Sequence, residues 1–337
     1  MRARADVVDV GVDVPLPVRR FLQTAHLRYR NGRLISLWEQ GSLTDRYCRS
    51  QLQRSIVKMD VDVVLQMQDL APVDRPYFLY QDMSFDALLN MRESGADVFR
   101  ILTTSEMLRR RERQLNVYDK AAGVLAMSRW LADSLVKDTG LPREKVHVVH
   151  PGLVAANTAP APDRTQRPRT RLLFIGRHLV PKGGDLVLQA FERLRGQGIT
   201  LTIAGPASIG EVPEGVNFLG ALPVNDIAKL YDQHDLFVLP SRIEGFGIVF
   251  AEALSRGMPL VARNDFAMPE IVQAPRYGRL IDKDDPDVLA DILLDSLNDD
   301  ELYRRCRDEA ESVANYYSWS RAAQETIDAL AFTHRAE

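Results

Sequence analysis

Short apolar runs alternate with longer stretches of helical periodicity along most of the chain. In the second half, residues 171–175, 199–204 and 235–239 form apolar runs bounded by turn residues, which is typical of buried strands. Helical patterns stand between these runs, the first over residues 184–194. Strands that alternate with helices predict a parallel sheet covered by helices.

The same alternation continues to the end of the chain. Further strands are predicted at residues 216–219, 259–262 and 279–281, and further helices at residues 225–231, 286–297, 300–314 and 320–331. The second half therefore predicts a complete α/β unit.

The first half carries a weaker form of this pattern. Strands are predicted at residues 7–14, 61–67, 77–80, 121–127 and 146–149, with a helix from Ser128 as its N-cap. The alternating, β-branched run at 7–14 is expected to end at Pro15. The fold class predicted for both halves is α/β.

A long helical region is predicted after Pro17. Apolar side chains share one face there, and arginines lie largely on the others; the apolar positions are Leu43, Tyr47, Leu52, Ile56 and Met59. A membrane-facing helix and a helix packed on the core both fit this pattern. The solvated basic face favours core packing.

The length of 337 residues suggests two domains. Prolines and a shortage of large apolar residues after His150 predict a linker. We expect a first domain over residues 1–150, a linker over 151–169 and a second domain over 170–318. Residues 319–337 are then left as a C-terminal helical segment.

Composition narrows the function classes. With 45% hydrophobic and 26% charged residues and a net charge of −3, the chain reads as a soluble protein without the concentrated basic face of a nucleic-acid-binding protein. Residues 1–150 carry 23 basic and 19 acidic side chains, which leaves room for a lipid-phosphate or anionic-surface partner.

Cysteine usage and hydropathy indicate the compartment. The only two cysteines, Cys48 and Cys306, provide neither a disulfide framework nor a CxxC metal site. No segment resembles a signal peptide, and no apolar run approaches the ~20 residues of a membrane span. We expect a cytoplasmic protein that does not cross a membrane.

The most informative stretch is P-S-R-I-E-G-F-G-I-V-F-A-E-A-L-S-R-G, which follows the strand at 235–239. Glu244 lies in its glycine turn, and Glu252 lies on the helix that the turn opens. At ~1.5 Å per residue, Glu252 lies about 6 Å below the start of that helix. Two acceptors at two depths suit a polyhydroxylated ligand, and the free amides of a helix N-terminus favour a phosphate.

A second stretch, F-I-G-R-H-L-V-P-K-G-G, also joins a strand to a helix. It contains neither G-x-G-x-x-G nor G-x-x-x-x-G-K-[ST], so hydride transfer and nucleoside triphosphate hydrolysis lack their usual motifs. Arg177 and Lys182 instead place two cations beside glycines at a helix start. Such a pair suits a diphosphate that gains charge as it leaves.

These two stretches resemble a known family. The pattern P-S-x-x-E-G-F-G-x-x-x-x-E-A-L-x-x-G-x-P is similar to the E-x7-E signature of retaining, nucleotide-sugar-dependent glycosyltransferases of the GT-B fold. This family includes sucrose synthases and bacterial mannosyltransferases, and its G-R-x4-K-G segment is also present here. The resemblance implies two Rossmann-like, doubly wound domains that face each other across a crevice, with the last helix packing back on the N-terminal domain.

The N-terminus departs from the family pattern. Family members begin with a strand, a glycine-rich loop and a helix ahead of the strand that residues 7–14 resemble, and no such loop precedes it here. We therefore expect either that the N-terminal domain, on the acceptor side, is reduced or that the chain starts inside it.

The resemblance also implies roles for individual residues. Arg177 and Lys182 would contact the diphosphate, Glu252 the nucleotide ribose and Glu244 the donor sugar. The remaining donor-binding residues implied are Gly176, Phe246, Gly247 and Ile248. A helix-surface or capping role is the competing interpretation for either glutamate alone.

The first half offers fewer candidates. Asp82 follows the strand at 77–80 and is a candidate for orienting the acceptor or donor sugar, with N-capping of the next helix as the alternative. The run from Arg109 to Arg113 is either a solvated helix face or a grip for an anionic acceptor or lipid surface. The histidines show no metal-ligand spacing, and we expect His178 to be a neighbour of the donor phosphate rather than a metal ligand.

The resemblance implies a metal-independent retaining hexosyltransferase without a cofactor. Its donor would be a UDP- or GDP-sugar, and its acceptor a hydroxyl of a glycan, glycolipid or small molecule, with peripheral membrane contact left open. Two alternatives remain: a sugar phosphorylase or epimerase on the same fold, and a non-catalytic protein that binds nucleotide sugars.

Overall fold

The computed structural model describes residues 5–30, 32–38, 41–93, 102–154 and 160–333. It divides the chain into two units. Unit 1 comprises Met1–Met127, Leu131–Val149 and Ala323–Glu337, and unit 2 comprises Ser128–Trp130 and His150–Ala322.

The elements of the first half are short. Its strands are β1 (Leu27–Arg30), β2 (Arg33–Ser36), β3 (Val64–Met67), β4 (Tyr77–Gln81), β5 (Gly123–Ala126) and β6 (Val146–Val148). Its helices are α1 (Leu16–Ala25), α2 (Ser42–Ile56), α3 (Phe85–Glu93), α4 (Thr104–Lys120) and α5 (Arg129–Lys137).

The sheet of unit 1 is parallel. Its strands lie in the consecutive order β3-β4-β5-β6, and β1 and β2 form a separate antiparallel hairpin. Every residue of β4 and β5 is buried, as expected for central strands covered on both faces. Burial on both faces of the sheet explains why continuous apolar runs predicted these two strands.

The strand predicted at residues 7–14 is wrong, because residues 6–15 have no regular secondary structure. Val10 and Val12 nevertheless pack against a buried cluster of Leu52, Ile56 and Ala71. An extended segment with one face on an apolar cluster gives the same alternation as a strand, so the pattern alone did not distinguish them.

The long helical region predicted after Pro17 is also interrupted. The hairpin β1–β2 separates α1 from α2, and Pro15 precedes the first residue of α1. Leu52 and Ile56 are buried, which confirms core packing for the second half of α2. Leu43, at the start of α2, is exposed and does not belong to that core.

Unit 2 contains the remaining strands and α-helices, except that the last helix belongs to unit 1 from Ala323 onwards. Its strands are β7 (Arg171–Ile175), β8 (Thr200–Ala204), β9 (Val216–Gly220), β10 (Leu236–Leu239), β11 (Leu260–Arg263) and β12 (Gly278–Ile281). The helices that follow α5 along the chain are α6 (Gly184–Arg193), α7 (Val224–Gln233), α8 (Ile248–Ser255), α9 (Met268–Val272), α10 (Pro286–Asn298), α11 (Asp300–Tyr316) and α12 (Trp319–Thr333).

The sheet of unit 2 is doubly wound. Its six strands are parallel and lie in the order β12-β11-β10-β7-β8-β9. Strand order reverses between β7 and β10, which pair directly. In open α/β sheets ligands bind outside the carboxyl ends of the strands at such a reversal. The strand order thus indicates a candidate site in unit 2, at the carboxyl ends of β7 and β10.

The proline-rich segment after His150 belongs to unit 2. Arg164 in this segment is only 2% exposed, and its guanidinium donates to the carbonyls of His234 at 2.7 Å, Arg256 at 2.6 Å and Tyr231. Burial lowers the pKa of Arg164 to about 10. The buried side chain of Arg164 therefore helps to anchor on unit 2 a segment whose composition indicated only a linker.

Helix α9 has no counterpart among the predicted elements. It has only five residues, from Met268 to Val272, and its alternation of apolar and polar positions is too short to give a period. None of the described helices is long and apolar enough to span a membrane.

Candidate functional site

Two turns meet at the reversal point of unit 2. One follows β7 and begins with Gly176 and Arg177; the other follows β10 and runs from Pro240 to Gly247. Because β7 and β10 are paired neighbours, their carboxyl ends place these turns side by side. The two motifs found in the sequence thus converge, although 62 positions separate Lys182 from Glu244.

An ion pair joins the two turns. Lys182 Nζ lies 2.9 Å from Glu244 Oε2 and also donates to the carbonyl of Ile243 at 3.1 Å. Ser241 Oγ donates to the same carboxylate oxygen at 3.3 Å. The side chains of Lys182 and Glu244 are 22% and 12% exposed, so solvent still reaches both. The sequence predicted both residues but not their contact.

Glycines allow the turns to approach each other. Gly183 has φ +74°, and a Cβ there would lie 2.3 Å from the carbonyl oxygen of Pro240 in the other turn. Gly247 has φ +78°, and a Cβ there would lie 2.6 Å from the Phe250 ring. A side chain at either position would clash and would also require a left-handed backbone. Gly183 and Gly247 are therefore structural requirements of the two turns.

Helix α8 begins immediately after this turn, at Ile248. Its N-cap, Gly247, provides no side-chain hydrogen bond to the first-turn amides. The positive end of a helix with amides that lack a side-chain cap favours an anion. As predicted from the sequence, the junction between this turn and α8 is formed by Phe246, Gly247 and Ile248.

Glu252 lies one turn inside α8 and is only 5% exposed. The hydroxyl of Tyr231, on α7, donates to Glu252 Oε2 at 2.8 Å. Burial, and then the charge of Glu252, raise the pKa of Tyr231 well above its usual value. The carboxylate is thus held in a fixed position by a neighbour that the sequence did not indicate, since Tyr231 precedes it by 21 residues.

A network of four charges stabilises the same turns. Arg242 pairs with Asp185 and Asp284, each at 2.6 Å, and Arg263 also pairs with Asp284. Arg263 Nε donates to the carbonyl of Ser241 at 3.0 Å. The network joins the start of α6 to the turns after β10 and β12. Sequence analysis missed it because its members are 21 or more positions apart.

Aromatic side chains pack against Phe246 in this turn. The Phe246 ring, which is 4% exposed, lies 5.7 Å from the His150 ring and 5.9 Å from the Tyr317 ring, centroid to centroid. His150 Nδ1 and the Tyr316 hydroxyl are 2.8 Å apart. Burial, together with the charge of Arg321, lowers the pKa of His150 to about 4. A neutral imidazole therefore packs against the glycine turn at neutral pH.

Arg177 behaves differently from Lys182. Its side chain is exposed, and among the described residues it forms no hydrogen bond or ion pair. A cation next to Gly176 at the edge of the sheet is therefore available to a ligand. His178 is also exposed there.

Asp82 lies in unit 1, directly after β4. It accepts a hydrogen bond from Gln68 Nε2 at 3.0 Å. The N-capping alternative for Asp82 is wrong, because Ser84 Oγ accepts from the amide of Ala87 in the first turn of α3, at 3.1 Å. The sugar-orienting role predicted for Asp82 stays a prediction.

The arginines from Arg109 to Arg113 on α4 differ in their exposure and in their partners. Arg111 pairs with Asp86, Arg113 pairs with Asp45, and Arg110 lies 5.8 Å from the centre of the Phe85 ring. Arg109 is exposed. Over the part of the chain that the structure describes, no three His, Cys, Asp or Glu side chains converge as metal ligands.

Comparison with known proteins places these features in context. Residues 160–313 match the family model described as glycosyl transferases group 1. This segment contains both turns of unit 2 and all of the donor-binding residues implied by the sequence.

Two of the similar curated proteins share one description. D-inositol 3-phosphate glycosyltransferase from Xylanimonas cellulosilytica is 32% identical over 237 residues, which are 62% of this chain and 56% of that protein. The protein of the same description from Streptomyces avermitilis is 30% identical over 245 residues, 64% of this chain and 53% of that protein. The chain thus spans just over half the length of these relatives.

Solved structures support the predicted fold. Sucrose-phosphate synthase from Thermosynechococcus elongatus matches with a TM-score of 0.72 at 15% identity, over 93% of this chain and 86% of that one. HepE from Anabaena, in complex with UDP and glucose, matches with a TM-score of 0.65 at 18% identity, over 86% and 83%. The two-unit α/β fold is that of the GT-B glycosyltransferases.

Proposed function

We propose that this chain is a retaining glycosyltransferase that moves a hexose from a UDP- or GDP-sugar to a hydroxyl of an acceptor. The observation that carries the proposal is the convergence of the G-R-x4-K-G and E-G-F-G turns at the reversal point of the unit 2 sheet. The match of residues 160–313 to a glycosyltransferase family supports it. So does a structural neighbour that was solved with UDP and glucose.

The leaving diphosphate would be held by cations and by backbone amides. Arg177 is exposed at the edge of the sheet, and Lys182 is fixed by Glu244 and by the Ile243 carbonyl. The start of α8 adds the positive end of a helix. Groups that are fixed before the sugar bond breaks stabilise the charge that develops on the diphosphate without having to reorganise.

The two glutamates would orient the donor. Glu252 is buried and held by Tyr231, and its carboxylate would accept a hydrogen bond from the ribose. Glu244, next to Lys182, would accept from a hydroxyl of the sugar and hold the reacting carbon near the diphosphate. Asp82 in unit 1 would orient a sugar hydroxyl.

Transfer assays with a panel of UDP- and GDP-hexoses and hydroxyl acceptors test this function. We expect release of the nucleoside diphosphate together with a new glycoside, and NMR of the product should give the same anomeric configuration as the donor. An inverted product would contradict retention. Donor binding without any transfer would favour a non-catalytic sugar-nucleotide-binding protein, and phosphate-dependent cleavage would favour a phosphorylase.

The same assay tests the absence of a metal. Because Arg177, Lys182 and the α8 amides would neutralise the diphosphate, transfer should continue at an undiminished rate in EDTA. Activity that is lost in EDTA and returns only with Mg²⁺ or Mn²⁺ would contradict this part of the proposal.

A further inference from the structure

Unit 2 contains a cavity of about 220 Å³ that none of the donor-binding residues lines. It lies among helices α8, α9 and α11, and all of its lining residues belong to unit 2. We name it the tyrosine cavity. Its charged and aromatic lining residues are Arg129, His150, Glu270, Tyr277, Tyr316 and Tyr317. The function proposed above assigns no role to this cavity.

His150 brings a buried polar atom without a partner to the tyrosine cavity. The residue is 7% exposed, and its Nδ1 lies 2.8 Å from the Tyr316 hydroxyl, whereas its Nε2 has no hydrogen-bond partner among the described residues. Its pKa of about 4 makes the ring neutral at neutral pH. A neutral imidazole has one accepting and one donating nitrogen, and we assign the phenol as the donor to Nδ1. Nε2 is then a buried donor that lacks an acceptor, which is unfavourable unless a ligand supplies one.

The hydroxyl of Tyr317 is a second donor of this kind. Tyr317 is also 7% exposed, and no described residue forms a hydrogen bond with its hydroxyl. Burial raises the pKa of Tyr317, so the hydroxyl keeps its hydrogen at neutral pH. The hydroxyl of Tyr277, in contrast, donates to Glu309. Two buried side chains therefore bring unused donors to the same cavity.

Arg129 adds a cation to these donors. Its backbone amide donates to both carboxylate oxygens of Glu270, at 3.1 and 3.0 Å, but its exposed side chain forms no ion pair or hydrogen bond among the described residues. The guanidinium charge reaches His150, whose pKa is lowered by burial first, and then by Arg321 and Arg129. A guanidinium presents paired donors that match the two oxygens of a carboxylate.

The charges of the lining residues indicate a ligand with a single negative charge. Arg129 is the only arginine or lysine that lines the tyrosine cavity, and Glu270 is the only carboxylate. A phosphate monoester carries nearly two negative charges at pH 7 and would face Glu270 with an excess of charge. A carboxylate brings one negative charge to the guanidinium and its two oxygens to the neutral donors.

The size and the remaining walls of the tyrosine cavity indicate the body of the ligand. An apolar cavity of ~150 Å³ takes up benzene, so a volume of about 220 Å³ has room for one ring and its carboxylate. Leu254, Ile271 and Val313 provide apolar wall between the tyrosines. Aromatic rings pack favourably edge-to-face or offset against one another.

The tyrosine cavity is connected to the donor turn through Phe246. The Phe246 ring lies 5.7 Å from the ring of His150 and 5.9 Å from that of Tyr317, and both of these residues also line the cavity. Phe246 directly precedes Gly247, the N-cap of α8. A ligand bound to His150 and Tyr317 would therefore hold the two rings against which the turn packs.

We propose that the tyrosine cavity binds a small aromatic carboxylate and that its occupancy strengthens donor binding at the neighbouring turn. The carboxylate accepts from the Arg129 guanidinium, from His150 Nε2 and from the Tyr317 hydroxyl, and the ring of the ligand packs among the tyrosines. The effect on donor binding rests on the function proposed above, whereas carboxylate binding does not.

Ligand-observed NMR titration of the full-length protein with benzoate tests the site. Benzyl alcohol, which has no charge, and phenyl phosphate, which carries a second one, are the comparison ligands. We expect benzoate to bind with a Kd of about 1 mM or lower and both comparison ligands to bind at least about tenfold more weakly. Equal or tighter binding of either comparison ligand would contradict recognition of a carboxylate.

Two variants assign benzoate to the tyrosine cavity. Arg129→Gln removes the cation at an exposed position and should weaken benzoate binding at least about tenfold, and Tyr317→Phe removes one hydroxyl and should weaken it about two- to tenfold. The matched controls Arg195→Gln and Tyr29→Phe change exposed side chains outside the cavity and should bind benzoate normally. Circular dichroism checks that each variant is folded.

Calorimetry with UDP and GDP, without and with saturating benzoate, measures the effect on donor binding. The nucleotide that binds should bind about fivefold more tightly or better with benzoate, and Arg129→Gln should remove this gain. Equal nucleotide affinity with and without benzoate would overturn the coupling.

The site itself is overturned if benzoate does not bind, if it binds Arg129→Gln and Tyr317→Phe as tightly as the unaltered protein, or if UDP or GDP displaces it. Displacement would mean that benzoate occupies the donor site. Binding of benzoate that is lost in Arg129→Gln, in a protein that binds neither nucleotide, would support the carboxylate site and contradict the proposed transfer function.

Discussion

At the scale of single residues, two sequence motifs and their resemblance to a family selected Glu244, Glu252, Arg177 and Lys182 as candidates. The structure shows which side chains lie next to them. The sequence did not predict the bond from Tyr231 to Glu252 or the Lys182–Glu244 pair, because both depend on how distant parts of the chain are brought together by the sheet. Residue type and local spacing carry no information about such contacts.

The two glutamates should fail differently when each is replaced by glutamine. Glu252→Gln should remove the proposed ribose contact, which would be made about equally in the ground and transition states, so the donor KM should rise more than kcat falls. Glu244→Gln should mainly lower kcat. The loss of one hydrogen bond to a charged group is worth roughly 1.5–3 kcal/mol, or about ten- to a hundredfold.

Steady-state kinetics with saturating acceptor measure this difference. Circular dichroism of each variant is the control for folding. Kinetic constants close to those of the unaltered protein in both variants would exclude this stretch as the donor site.

His150 should make stability depend on pH. Its pKa is lowered by burial from 6.5 to about 4, so the unfolded chain binds the proton more readily than the folded one. The contribution is fully present above about pH 6.5 and is lost as the pH falls towards 4, by an amount on the order of 3 kcal/mol.

The measurement is the free energy of unfolding between pH 7 and pH 4. Because His234 has a lowered pKa as well, the slope is compared with that of His150→Phe, which keeps an aromatic ring beside Phe246. The variant should lose less stability on acidification. Equal slopes would mean that His150 is protonated as easily in the folded protein as in the unfolded chain.

At the scale of elements, unit 2 could be predicted almost entirely. The core strands β7, β8 and β10 are buried along most of their length, and each is followed directly by glycine or proline, so the turn residue marks where the strand ends. In unit 1 only the central strands β4 and β5 have this character. Where a segment is covered on one side alone, as at residues 7–14, an alternating pattern did not distinguish a strand from extended chain.

The glycine turn before α8 should tolerate no side chain. Gly247→Ala would force a Cβ within 2.6 Å of Phe250 and 3.1 Å of Glu244, in a left-handed backbone. Gly210 is the matched control: its φ of +80° is nearly the same, but a Cβ there would meet nothing within 4 Å. Gly210→Ala should cost only the backbone strain, about 1 kcal/mol.

We therefore expect Gly247→Ala to lose more stability than Gly210→Ala, and also to bind UDP or GDP more weakly. Denaturant unfolding and calorimetry measure these two effects. Equal losses of stability in the two variants would show that the turn has room for a methyl group and that its glycine serves the backbone alone.

At the scale of the whole molecule, the fold could be predicted as two α/β units, and the position of the site within unit 2 follows from strand order. The consecutive strand order of the unit 1 sheet could not be predicted, because a sequence gives the order of strands along the chain and not in space. In the segment after His150, prolines indicated a linker. Composition gave no sign that Arg164, which lies among them, is almost fully buried in unit 2.

Arg164 gives the last prediction. Arg164→Met keeps most of the side-chain volume but removes the donors from three backbone carbonyls, those of Tyr231, His234 and Arg256. Buried acceptors without partners should lower the free energy of unfolding by about 2–4 kcal/mol. Arg195→Met, at a side chain that is 55% exposed and paired only with nearby Glu192, should stay within about 0.5 kcal/mol of the unaltered protein. Since Tyr231 also holds Glu252, Arg164→Met should weaken donor binding at the same time. Denaturant unfolding together with UDP and GDP titration measures both quantities, and a variant as stable as Arg195→Met would show that the segment after His150 is a linker after all.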